Sequence, residues 1–320
     1  MPKFKIRHIT RYVYEGSVRD SANQIMLYPI QDNHQDIIHQ TIQITGSPQV
    51  DIHLDYFNNQ VGTFTQSKPH RELTIDSNVV VSTTPKVMPD DQQSSAEQWK
   101  FLKELKYQSE FIDFLKQESF LQLPEVAAIV DAERLKNCSP LASAKEFCHY
   151  VFTNFIYKKG ITTVETTLDE AWKIKSGVCQ DFAHILLVML RLMNIPARYV
   201  SGYICPNKNG MRGEGATHAW VEAYLPFYGW LGLDPTNDCL VNEMHVKLAV
   251  GKNFSDCSPV KGTYRGTSNH TMEVAVSVSY EDGQSTENTS SVDEQPPAAT
   301  SFSKNSYRRH QEEIQMQQQQ

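Results

Sequence analysis

Ser176-Gly177-Val178-Cys179-Gln180-Asp181-Phe182-Ala183-His184 opens the segment that decides the architecture. It runs on through Ile185-Leu186-Leu187-Val188-Met189-Leu190 to Asn194, and Pro196 stands just past the end. Apolar residues fall on nearly every face of this stretch, which predicts a buried central helix. Its first turn carries Cys179. A helix N-terminus presents free backbone N–H groups and a partial positive charge, which favour a thiolate. The same N–H groups can stabilise an oxyanion forming beside the sulfur. Gly177, with no Cβ, lets a substrate backbone approach the sulfur and is read as a substrate-binding position.

A thiolate nucleophile needs a base that exchanges a proton near neutral pH, which points to histidine. His218 lies in Ala216-Thr217-His218-Ala219-Trp220-Val221-Glu222-Ala223-Tyr224. Alternation places His218, Trp220, Glu222 and Tyr224 on one face of a strand. Asp234 closes the next strand-like run, Trp230-Leu231-Gly232-Leu233, and Pro235 ends it. A short connection between antiparallel neighbours brings His218 and Asp234 within reach, and the carboxylate would fix the imidazole tautomer. Cys179, His218 and Asp234 are the candidate catalytic residues, in a papain-like arrangement of a helix-borne Cys packed on an antiparallel sheet. Trp172 reads as a core residue or a cleft wall rather than an oxyanion donor, and Trp172 and Trp220 are both taken as candidate substrate-binding positions. Asp181 reads as an N-terminal capper of the helix, and His184 as structural. Cys148-His149 and Cys138 have no second pair at ligand spacing, so no metal site is assigned. No cofactor is expected, and there is no EF-hand loop.

Outward from this centre the chain is α+β. Residues 1–85 alternate in short strands, among them Phe4 to Ile9, Thr41 to Ile44, Val50 to Leu54 and Leu73 to Thr83. A hairpin turn is expected at Asn58-Asn59-Gln60, and the whole reads as an N-terminal antiparallel β-sandwich. Residues 86–98 form a linker rich in Pro, Asp, Gln and Ser. Residues 99–280 hold a helical segment and then the core with Cys179. Within it, Gly251 to Gly266 reads as a loop that lines the cleft or simply packs. Residues 281–320 are poor in apolar side chains and end in Gln317 to Gln320, which predicts a disordered tail.

Composition excludes several function classes. Hydrophobic residues make up 40% of the 320 and charged residues 21%, as in a chain with a real core. The net charge of −7 argues against a nucleic-acid partner, which would need clustered Lys and Arg. The longest apolar run stops at Arg191, far short of the ~20 residues a bilayer requires, so no membrane association is expected. Met1-Pro2-Lys3-Phe4-Lys5 is no secretory signal, and six scattered cysteines do not form a disulfide framework. The expectation is a cytoplasmic protein with free thiols and a peptide or protein substrate; its oligomeric state is left open.

Four segments in order carry a family resemblance: Ser176 to His184, Ile195 to Tyr203, Thr217-His218-Ala219-Trp220-Val221-Glu222, and Leu233-Asp234-Pro235-Thr236. Together they resemble the bacterial transglutaminase-like superfamily, whose members include cysteine proteases, over about residues 140–280. The first 85 residues look like the β-rich N-terminal domain that accompanies this core. The resemblance implies a nucleophile at Cys179, a base at His218 and an orienting carboxylate at Asp234. It implies attack on an amide carbonyl and a thioester intermediate, resolved by water or by an amine. Hydrolysis of peptide or isopeptide bonds is favoured, with transglutamination or peptide ligation as one alternative and a non-catalytic binding scaffold as another.

Overall fold

The computed structural model describes residues 1–162, 166–205, 211–213, 216–266 and 269–281, and the backbone of 289–294. The chain divides into two compact units, Met1–Thr83 with the segment from Ser258 onward, and Thr84–Cys257.

The first unit begins with β1 (Lys3–Ile25), β2 (Gln35–Ile44), β3 (Asp51–Leu54), β4 (Gln60–Gln66) and β5 (His70–Thr83). Phe4, Ile6, His8 and Thr10 alternate inward along β1. The strand expected at Phe4 to Ile9 runs on in the structure as one long strand to Ile25. Its first half pairs antiparallel with β5 and its last residues pair with β4. A register shift between Val13 and Val18 lets the strand bend between these partners. The hairpin joining β3 and β4 turns at Asn58, which takes a left-handed φ of 64°. Asp55 Oδ1 accepts the Phe57 and Asn59 backbone N–H groups at 2.8 Å, so its own side chain builds the turn.

The second unit starts with four helices: α1 (Ser95–Leu105), α2 (Ile112–Leu115), α3 (Leu123–Arg134) and α4 (Pro140–Asn154). Ser94 and Ser139 cap α1 and α4 by accepting the Glu97 and Ala142 N–H groups. A short strand β6 (Ile156–Tyr157) pairs in parallel with β7 (Ser176–Gly177), and α5 (Leu168–Ile174) lies between them in sequence. Helix α6 (Cys179–Leu192) follows at once. Then come β8 (Ala197–Ile204), β9 (Thr217–Leu225), β10 (Gly229–Asp234), β11 (Cys239–Leu240) and β12 (His245–Gly251), closed by the short α7 (Phe254–Cys257). The five strands form one antiparallel sheet in the order β11-β10-β9-β8-β12. Helix α6 packs on β8 and β9 and is buried from Asp181 to Arg191, except for His184 at an intermediate level.

Arg191 shows how α6 ends. Its guanidinium is buried and donates to the Ala197 and Lys252 carbonyls, and more weakly to that of Lys116. Burial lowers its pKa to about 10, which still leaves the cation at neutral pH. Asn194 takes a left-handed φ of 62° and Ile195 N–H returns to the Leu190 carbonyl, which stops the helix before Pro196.

The chain then goes back to the first unit with β13 (Val260–Arg265), β14 (His270–Tyr280) and β15 (Thr289–Glu294). Strand β14 pairs with β1 from Phe4 to Tyr14, opposite β5, and β13 pairs with the end of β1. The first sheet thus holds eight antiparallel strands and curls into a half-barrel. This corrects the boundary drawn from sequence, which ran the core on to 280; residues from Ser258 complete the N-terminal sheet. Within the tail expected to be disordered, 289–294 forms a strand, and 282–288 and 295–320 lie outside the described residues. No helix among the described residues is long and apolar enough to cross a membrane.

Candidate active site

The start of α6 is built around Asp181. Its Oδ2 accepts the Val178 N–H and the Thr162 hydroxyl, each at 2.8 Å. The carboxylate therefore caps the helix that carries Cys179, as its position in the first turn suggests. A Cβ at Gly177 would stand 2.3 Å from that same Oδ2. The glycine is thus required by the cap, and Gly177 is itself buried. The cap thus gives Gly177 a structural reason beside the substrate role read from sequence. Cys179 remains half-buried at the helix mouth.

Strands β9 and β10 bring the other two groups together. His218 Nε2–H donates to Asp234 Oδ2 at 2.9 Å, and neither side chain is exposed. Burial pulls the His218 pKa down, but the charges of Asp234 and Cys179 outweigh it and raise it to about 10. Nδ1 has no hydrogen-bond partner at full bonding geometry among the described residues, which leaves it to the sulfur of Cys179. Such loose pairing is usual before a substrate is bound. Gly213, at φ 92°, lies against this nitrogen, and a Cβ there would come within 2.5 Å of it.

Asp234 is fully enclosed and held as the anion. Burial opposes its ionisation, but His218 and His245 together keep it well below the usual carboxylate range. Asn237 Nδ2 donates to Oδ2 at 2.7 Å and the Thr236 N–H donates to Oδ1 at 2.9 Å. His245 Nε2 reaches the same Oδ2 at 3.3 Å from the start of β12. Asn237 also locks the approach to the site, exchanging hydrogen bonds with the Arg212 backbone at 2.7 and 3.1 Å. Sequence reasoning missed His245 and Asn237. The Asp-Pro-Thr-Asn turn hints at the second, but no local pattern announces a histidine on another strand.

Both tryptophans are buried, and for Trp172 this is the core alternative of the sequence reading. Trp172 is 3% exposed, its Nε1–H donates to Glu125 at 2.9 Å, and Lys175 Nζ stands 2.7 Å from its ring centroid. Burial of that ammonium lowers its pKa to about 8. Trp220 is 1% exposed and packs beside the rings of His218 and His245, with centroids 6.3 and 5.4 Å away. It does share a strand face with His218, but that face is covered. Neither ring offers area to a substrate.

The remaining candidates are structural. His184 Nε2 accepts the Phe254 N–H at 3.2 Å, and burial lowers its pKa to about 4. The Gly251 to Gly266 segment divides between the units at Cys257, and its first part packs Asp256 against Gly251. Cys148 and Cys239 line a cavity of about 450 Å³ with His149 and Asp238. Burial and nearby carboxylates push the Cys239 pKa to about 12 and raise that of Cys148. Among the described residues, Asp234, Cys239 and His245 could offer a metal three atoms within 4.8 Å of one another. Asp234 already accepts four donors, so the cluster is built as a hydrogen-bond network.

A thiol at the mouth of a buried helix, set against a sheet that carries a His–Asp couple, defines the papain-like class of arrangement. Residues 131–235 match the model of the transglutaminase-like superfamily, and residues 4–82 match the bacterial transglutaminase-like N-terminal region. The chain belongs to the transglutaminase-like superfamily. An uncharacterized protein of Mycobacterium leprae, ML0607, is 31% identical over 87% of this chain and 99% of its own length. The protein-glutamine gamma-glutamyltransferase of Pseudomonas aeruginosa is 32% identical over 35% of this chain and 18% of its own. A solved structure described as a candidate cysteine protease from Cytophaga hutchinsonii aligns at TM-score 0.71 and 20% identity. The alignment covers 92% of this chain and 98% of that one, and shows a shared fold.

Proposed function

We propose that the protein is a cysteine-dependent acyl-transfer enzyme that opens peptide or isopeptide bonds. The observation that carries this reading is the buried His218, bonded to Asp234 at 2.9 Å and raised in proton affinity by Asp234 and then by Cys179, against the effect of burial. The Cys179 thiol gives its proton to His218 as the sulfur attacks the amide carbonyl carbon, and the backbone N–H groups at the start of α6 serve the developing oxyanion. His218 passes its proton to the leaving nitrogen as the C–N bond breaks, and a thioester remains on Cys179. A second nucleophile then gives its proton to His218 and attacks the thioester. The acyl group leaves as an acid or a new amide, and His218 returns the proton to the departing sulfur. Asp234 keeps its charge throughout and holds the ring.

Cys179→Ala is expected to abolish iodoacetamide labelling of that helix peptide at neutral pH and all amide cleavage. Undiminished cleavage by this variant would overturn the assignment. Water is the default acceptor. Amine transfer is the second reading, favoured by the local likeness to the Pseudomonas gamma-glutamyltransferase. Incorporation of a fluorescent amine into a Gln-containing protein, dependent on Cys179, would establish it in place of hydrolysis.

A further inference from the structure

We infer that His245 is a positioning residue of this site: an imidazole donor from a neighbouring strand that holds the Asp234 carboxylate in place for its bond to His218. The inference rests on the proposed triad and extends it to a residue outside the matched span 131–235.

Three donors converge on one oxygen of Asp234: His218 Nε2, Asn237 Nδ2 and His245 Nε2. A carboxylate with no exposure is costly to ionise unless donors replace the lost water. The third donor is a histidine whose tautomer is set by the carboxylate itself. Asn242 presents both its N–H and its Oδ1 to His245 Nδ1 at 3.3 Å, whereas the ionised Asp234 Oδ2 can only accept and so takes the proton-bearing Nε2. The uncharged ring thus already donates to Asp234. A second imidazolium on the same oxygen would compete with that of His218. Burial prevents this by lowering the His245 pKa, and His218 and Lys86 add to the effect while Asp234 opposes it. Cys239, on β11, is the further titratable group beside Asp234 and His245, and Cys148, on α4, faces Asp234 as well. Trp220 packs against both rings, stacked on His218 and edge-on to His245, and the three ring centroids lie 5.4 to 6.5 Å apart. The geometry divides one carboxylate between two histidines with different tasks.

Two substitutions separate donation from packing. His245→Phe keeps an apolar ring of similar shape and removes the donor. His245→Gln keeps a neutral N–H at about the reach of Nε2. If donation matters, Phe slows alkylation of Cys179 by roughly ten- to hundredfold, the worth of one hydrogen bond to a charged group. It also moves the acid limb of the rate profile to higher pH, because Asp234 protonates more readily. Gln restores both. If the ring only fills space, Phe is the better replacement and the acid limb stays in place, which overturns the proposal.

A second measurement does not depend on turnover. In a Cys179→Ala background, the low-field NMR signal of the His218 Nε2–H reports the bond to Asp234. The signal is expected to shift, and its loss on acidification to move to higher pH, with Phe at 245 and not with Gln. An unchanged signal with Phe rejects the role of His245. Intact NMR behaviour together with unreactive Cys179 in the parent chain would instead reject the enzymatic reading.

Discussion

At the scale of single residues, the site depends on atoms whose partners lie far off in sequence. Gly177 and Asp181 are a coupled pair, because the Cβ that Gly177→Ala adds would stand 2.3 Å from the capping carboxylate. That variant is expected to lose about 1–3 kcal/mol, the range for an overpacked site. Asp181→Ala alone should lose about 0.5–2 kcal/mol with the cap. Urea midpoints of the double variant test the coupling, since removing the carboxylate also removes the clash and the two losses should fall short of adding. Asp234→Asn should leave the fold in place and cut turnover on the order of 10⁴-fold, the scale seen where a triad carboxylate is neutralised. Steady-state kinetics of a folded D234N protein check it. Cys179, His218 and Asp234 could be singled out from residue type and setting alone. His245 could not, because only the approach of β12 to Asp234 gives it a task.

At the scale of elements, the core sheet is pinned where side chains are absent. A Cβ at Gly202 on β8 would meet the Val246 carbonyl of β12 at 2.2 Å and the Trp220 ring at 2.4 Å. Backbone cannot yield as a flexible side chain can. Gly202→Ala should therefore push β12 outward and disturb Trp220, and with it the spacing of His218 and His245. The expected outcome is a loss of about 1–3 kcal/mol in thermal or denaturant stability. A change in tryptophan fluorescence should accompany it. Glu222 on β9 is a second pin. Burial works against its charge, but Lys247 and Arg198 prevail and lower its pKa to about 2. Arg198 and Lys247 reach its two oxygens at 2.6 and 3.1 Å, tying β8 and β12 to β9. Alternation along β9 placed Glu222 beside His218 on one face, and that was readable. That both faces would be covered was not, because alternation gives a face and says nothing of what lies over it.

At the scale of the whole chain, pH dependence of stability follows from buried histidines in both units. His8 and His184 are each lowered by burial from 6.5 to about 4. Glu118 raises and Arg191 lowers the His184 value in turn. The unfolded chain takes up these protons as pH falls through about 6.5, whereas the folded chain resists until about 4. Their contribution to stability is full above 6.5 and is lost as pH falls toward 4, at about 1.4 kcal/mol per pH unit for each. His218 has the opposite sign, since its folded pKa is raised to about 10. It stabilises fully below 6.5, and that share is lost as pH rises through 10. Stability should therefore peak near pH 6.5, and His8→Phe should flatten the acid side. Urea titrations across the range test both limbs, and an acid side of unchanged slope in that variant would contradict the assignment.

The sequence alone determined the central buried helix, the cysteine in its first turn and the order of Cys179, His218 and Asp234 along the chain, because periodicity and end signals are local. It also marked the N-terminal strands, whose alternation survives in β1 and β5. Only the tertiary structure decided where the chain after Ser258 belongs, since a strand's partner is chosen by pairing across some 250 residues and not by its own pattern. Only it could remove Trp172 and Trp220 from the cleft, give Gly177 its reason in Asp181, and set His245 beside His218. Each of these depends on which atoms occupy the space around a side chain, and one-dimensional spacing carries no record of that.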